Sequence, residues 1–96
     1  MLEIPTPQRP QNEPREVRVK RLAMRSMRRG IKEMDLILSA FATDSLADMN
    51  DADLDLYDDM LNENDHDLYQ WVTGQIAPKA QYAALISDVQ THVSKG

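Results

Sequence analysis

The chain has 96 residues, a formal net charge of -5 and no cysteine. A chain of this length makes one small domain that buries only about 60 to 65% of its unfolded surface, which disfavours a large enclosed cofactor pocket. Without cysteine there is no disulfide, no thiolate chemistry and no sulfur-ligated zinc or iron–sulfur site.

The charge is polarised along the chain. Residues 1 to 33 carry nine Lys/Arg against four Asp/Glu, and residues 34 to 96 carry two against twelve. A basic surface is thus balanced by the chain's own acidic half, and the acidic total argues against nucleic acid as the main partner. No run of 18 apolar residues occurs, and Glu3 with the early prolines stands where a signal peptide needs an apolar core. The expectation is a soluble, non-secreted protein with no membrane insertion.

Pro5, Pro7, Pro10 and Pro14 fall among polar residues, a composition that forbids helix and offers little to bury, so residues 1 to 14 read as a disordered proline-rich arm. From there the periodicity is helical. Val19, Leu22, Ala23 and Met27 form one face of a first helix that begins near Arg15 or Glu16 and stops before Gly30, which reads as the left-handed glycine after a helix end. Opposite that face, Arg18, Arg21, Arg25 and Arg28 form a stripe. A second helix runs from about Ile31 with Met34, Ile37, Leu38 and Phe41 inward. Asn50 or Asp51 caps a third with Leu54, Tyr57, Met60 and Leu61 buried. Asp65 caps a fourth carrying Leu68, Trp71 and Val72, which closes near Gly74. Pro78 suits the first position of a fifth, on which Tyr82, Leu85, Ile86, Val89 and Val93 repeat. The fold class is therefore all-α: a compact five-helix bundle forming a single domain over residues 15 to 96.

Chemistry is sparse. Asp51, Asp53 and Asp55 imitate the start of a calcium loop, but Leu56 replaces its turn glycine and Asn62 its bidentate glutamate, so capping acids and a solvated helix face are the better reading. His66 and His92 are isolated from each other and from metal-ligand spacing. Three glycines make no phosphate-cradling loop, and no nucleophile–histidine–acid frame exists. The expectation is a protein that is not an enzyme and holds no metal and no stably bound cofactor. Trp71 reads as core whose indole N–H needs an acceptor or the surface. The arginine stripe is either a solvated face or a contact for an acidic protein, a nucleic-acid backbone or an anionic membrane. Membrane insertion competes with burial of Leu22 and Met27 in the bundle. At the glycine joint, Arg29 and Glu33 lie side by side at a rigid corner, either to meet a partner or to stiffen the turn through their own salt bridge; the residues by themselves leave both open.

The stretch "RRGIKEMD" with "DHDLYQWVTG" after it resembles the succinate dehydrogenase assembly factor family, called SdhE in bacteria, whose RGxxE motif and acidic Leu-aromatic-x-Trp segment occur in this order and spacing. The likeness spans roughly residues 15 to 92. It implies a chaperone-like factor of the bacterial cytoplasm that binds the immature flavoprotein subunit of succinate dehydrogenase, with fumarate reductase as a further client, and promotes covalent attachment of FAD, the chemistry belonging to client and flavin. Arg29, Gly30 and Glu33 map onto the motif, Arg28 and Asp35 flank it, and Arg18, Arg21 and Arg25 extend the contact. The arm is longer than the lead of many bacterial members. Two rivals are a direct flavin carrier, disfavoured by the lack of a pocket and a glycine-rich loop, and a small nucleic-acid-binding regulator using the basic first helix. A homodimer through the corner would be a blocked resting form.

Overall fold

In a computed structural model of the chain, residues 13 to 95 are described. The expected disordered arm therefore lies outside the described residues except for its last two. Glu13 is docked, its carboxylate accepting from Arg21 Nε at 2.8 Å and Nη2 at 3.0 Å, and Pro14 stands at the start of the first helix.

The described residues form five α-helices: α1 Arg15–Arg25, α2 Lys32–Ser45, α3 Asp51–Met60, α4 Asp65–Val72 and α5 Ala83–Lys95. Short 3₁₀ turns at Leu46–Asp48 and Ala80–Tyr82 follow α2 and precede α5. No strand occurs among the described residues. Helix α2 lies centrally and packs on α1, α4 and α5. Its Met34, Leu38 and Phe41 meet Leu54, Tyr57 and Met60 of α3, Leu68 and Trp71 of α4, and Leu85, Ile86 and Val89 of α5 in one core. Each of these side chains is large and apolar, and burying one contributes about 1.5 to 3 kcal/mol.

Local chemistry sets the helix ends. Asn50 accepts from the Asp53 N–H at 2.8 Å and caps α3. The cap of α4 is Asn64, which accepts from the His66 N–H at 2.8 Å, so the expected cap Asp65 is the helix's first residue instead. An amide oxygen does the capping, which leaves the Asp65 carboxylate available for a tertiary role. Gly74 closes α4 at φ +81, a left-handed conformation that costs glycine nothing.

Four further expectations change. Helix α1 ends at Arg25, because the Ser26 N–H is shared between the carbonyls of Leu22 and Ala23 and the chain then tightens. The left-handed residue after it is Arg28, at φ +55, and not Gly30. Beyond the helix end, Met27 escapes its period and is 51% exposed. Helix α5 starts at Ala83 and not at Pro78: proline's fixed φ suits the entry to any turn, and the chain reaches buried Tyr82 through a 3₁₀ turn. Val93, expected inward, is 44% exposed.

Candidate functional site

The corner between α1 and α2 is a meeting point of helix ends. The Arg29 guanidinium donates from Nη1 to the Arg25 carbonyl at the end of α1, at 3.1 Å, and from Nη2 to the Leu61 carbonyl at the end of α3, also at 3.1 Å. Its Nε reaches Asp65 Oδ1, on the first residue of α4, at 2.6 Å. Two carbonyls without helical partners are thereby satisfied by one planar cation. The side chain is only 11% exposed.

Asp65 completes the corner. Its second oxygen, Oδ2, accepts the Gly30 N–H at 2.6 Å. A Cβ on residue 30 would lie 3.0 Å from that oxygen. Glycine at this position lets the carboxylate approach closely, and its freedom to take positive φ is not used. The carboxylate also sits in the first turn of α4, where the helix dipole favours it.

Glu33 belongs to the first turn of α2, is exposed, and has no side-chain partner among the described residues. No Arg29–Glu33 ion pair forms among the described residues, because the Arg29 guanidinium is turned inward onto Asp65. Asp35 accepts from Ser39 Oγ at 3.1 Å, and the same hydroxyl lies 3.4 Å from the Ser26 carbonyl, which fastens α2 to the turn. Arg28 is exposed, its guanidinium unpaired among the described residues. The corner therefore presents Arg28 and Glu33 outward from a frame held by Arg29, Gly30 and Asp65.

Three of the four stripe arginines, Arg18, Arg21 and Arg25, are engaged within the chain, as is Arg15 one turn earlier, and only Arg28 keeps a solvated guanidinium among the described residues. Arg15 Nη1 meets Asp51 Oδ1 at 3.1 Å, Arg18 Nη1 meets Asp55 Oδ1 at 3.1 Å, Arg21 Nη2 meets Asp58 Oδ2 at 2.9 Å, and Arg25 bonds both Asp58 and Asn62. Helix α1 thus lies along α3 as a ladder of opposite charges, with Asp58 at its centre and buried. Burial opposes ionisation of Asp58, but the hydrogen bonds and charges of Arg21 and Arg25 outweigh it and hold its carboxyl below the usual range. The Arg21 hydrogen bond does the same for Glu13. Beneath the ladder, Ser26 Oγ donates to the Leu22 carbonyl at 2.8 Å and accepts the Tyr57 hydroxyl at 2.6 Å. Burial pushes the Tyr57 phenol up to about 12, against the Ser26 hydrogen bond and the nearby Arg29 and Arg25 charges.

Trp71 is core, 6% exposed, with its ring 6.1 Å from that of Tyr82. His92 bonds Asp44 Oδ2 at 2.7 Å and stands edge-on to Phe41, so it joins α5 to α2. Sequence reasoning missed Asp65 as a corner residue. The available signal was its place three residues before Leu68 in the acidic segment quoted with RGxxE; Asn64 beside it was the better cap. It also missed the match between arginines at 18, 21 and 25 and aspartates at 51, 55 and 58.

Comparison with known proteins gives one consistent likeness. A family model described as flavinator of succinate dehydrogenase matches residues 20–93. Succinate dehydrogenase assembly factor 2-A, mitochondrial, of Drosophila willistoni is 40% identical over 84 residues, which cover 83% of this chain and 54% of that protein. The 2-B form of Drosophila mojavensis is 40% identical over 96 residues, covering 95% and 61%. Succinate dehydrogenase assembly factor 2, mitochondrial, of Saccharomyces cerevisiae is 48% identical over 62 residues, covering 65% and 38%. The chain spans about three-fifths or less of the length of these relatives.

Proposed function

This chain belongs to the family described as flavinator of succinate dehydrogenase, and from that premise we propose that it binds the immature flavoprotein subunit of succinate dehydrogenase and promotes covalent attachment of FAD to it. The fumarate reductase flavoprotein is a second client in this reading. The observation that carries it is the corner: an RGxxE stretch whose arginine and glycine are locked onto Asp65 while its glutamate is left outward and unpaired.

The factor works as a chaperone and supplies no acid, base or nucleophile. FAD is the client's cargo and is held by the client. Glu33 and Arg28 bind polar groups around the flavin-accepting side chain of the client, and Asp35 keeps α2 in place behind them. Arg29 and Gly30 act as positioning residues. Three helix ends converge on the Arg29 node, so little loop entropy is lost on docking. Binding then favours the client conformation in which flavin and acceptor approach in near-attack geometry. Arg18, Arg21 and Arg25 contribute by holding α1 on α3, since their guanidinium groups are engaged there. That engagement also removes the observation that favoured a nucleic-acid backbone.

The reading places the factor where the client matures, which in a bacterium is the cytoplasm; the relatives above carry "mitochondrial" in their names. Among the described residues no helix is long and apolar enough to cross a membrane.

The test is co-expression with a succinate dehydrogenase flavoprotein subunit in cells lacking their own factor, read as covalent flavin fluorescence in a denaturing gel. Fluorescence that depends on the wild-type chain and falls with Glu33→Ala and Gly30→Arg supports the proposal. Equal labelling with and without the chain overturns it.

A further inference from the structure

Helix α2 continues past Glu33 into an apolar face that the bundle does not cover. Leu36 is 65% exposed and lies beside Val93 of α5. Two adjoining hollows, of about 360 and 390 Å³, share Leu36, Ile37 and Val93, and Glu33 and Tyr69 line the second. They form one groove that starts at the outward carboxylate of the RGxxE stretch and runs between α2 and α5.

Resting on the assembly-factor reading, we propose that this groove is the second half of the client-docking surface. It seats an apolar side chain of the immature flavoprotein subunit, while Glu33 at its rim takes the cation or N–H donor beside that side chain. Two observations select this occupant. The groove is continuous with the corner through Glu33, which occupies the helical position one turn before Ile37. Its chemistry is an apolar floor with one uncompensated carboxylate, which is complementary to a segment pairing an apolar residue with a donor. An incompletely folded client, unlike the mature enzyme, exposes apolar segments of this kind. The exposed Val17 and Met24 of α1 line a separate hollow that Glu33 does not touch, and they provide the control.

The experiment titrates the purified full chain onto the flavin-free flavoprotein subunit of succinate dehydrogenase. Leu36→Ser and Val93→Ser are expected to weaken binding about tenfold or more, and Met24→Ser to leave it unchanged, each variant keeping wild-type helicity and urea midpoint. Since the chain has no cysteine, Leu36→Cys supplies a unique thiol; its maleimide alkylation is expected to slow severalfold in the complex, while that of Met24→Cys does not. Wild-type affinity in both serine variants, or an unslowed Leu36→Cys thiol in a saturated complex, overturns the groove. The assembly reading would survive that result if Glu33→Ala still lost binding. Absence of any binding by the wild-type chain, with no effect on flavinylation, overturns both.

Discussion

Residue 30 carries no side chain because the space belongs to the Asp65 carboxylate, and this distinguishes two kinds of variant. Gly30→Ala puts a Cβ 3.0 Å from Oδ2, so Asp65 must shift and its bonds to Arg29 Nε and the Gly30 N–H lengthen. We expect a loss of about 1 to 2 kcal/mol by urea unfolding together with reduced client flavinylation. Glu33→Ala is expected to leave the urea midpoint within about 0.5 kcal/mol of wild type while abolishing the flavinylation effect, since its carboxylate makes no internal bond. Arg28 sits at φ +55, which costs a residue with a Cβ about 1 kcal/mol. Arg28→Gly should therefore stabilise the fold by about 0.5 to 1 kcal/mol, read as a higher urea midpoint at unchanged slope, while weakening client binding. Glycine at 30 was legible as a constraint, but its cause was not. A turn glycine and a close-approach glycine look alike until the residue from α4 arrives.

Between elements, the decisive interaction is the ladder of α1 on α3. Exposed pairs such as Arg15–Asp51 contribute only about 0 to 1 kcal/mol each, so the weight falls on buried Asp58. Its carboxyl titrates below the ordinary 3.8 in the folded protein. A depressed folded value means that the contribution is complete above the unfolded value and is lost as pH falls through the folded one. Wild-type stability should fall as the pH drops below the ordinary carboxylate value of about 3.9. Asp58→Asn should be less stable at pH 7 by about 3 kcal/mol and flatter across that window, as urea midpoints at each pH will show. The charges of both helices were readable as patterns of three and four. That they face each other depended on how α3 returns past α1, which no local period encodes.

For the whole molecule, one core joins all five helices, and buried Trp71 reports on α4 and α5 while far-UV circular dichroism reports on every helix. At pH 7 the two signals should follow the same urea transition. In Asp58→Asn at the same pH, α1 keeps chiefly Leu22, Val19 and Ala23 on the core, and helicity should fall before the Trp71 signal moves. Coincident curves in that variant as well would show that the ladder does not govern the docking of α1. The sequence by itself determined the helical class, five helices in their order, and most of the core, because amphipathic period, caps and breakers act within a few residues of each other. It also carried the family through short motifs. Only the tertiary structure decided that Arg18, Arg21 and Arg25 of the basic stripe are neutralised within the chain, that Asp65 locks Arg29 and Gly30, and that Leu36 and Val93 open a groove beside Glu33. Each of these joins residues from helices far apart in sequence, and their meeting is set by how the helices pack and not by the preference of any one of them.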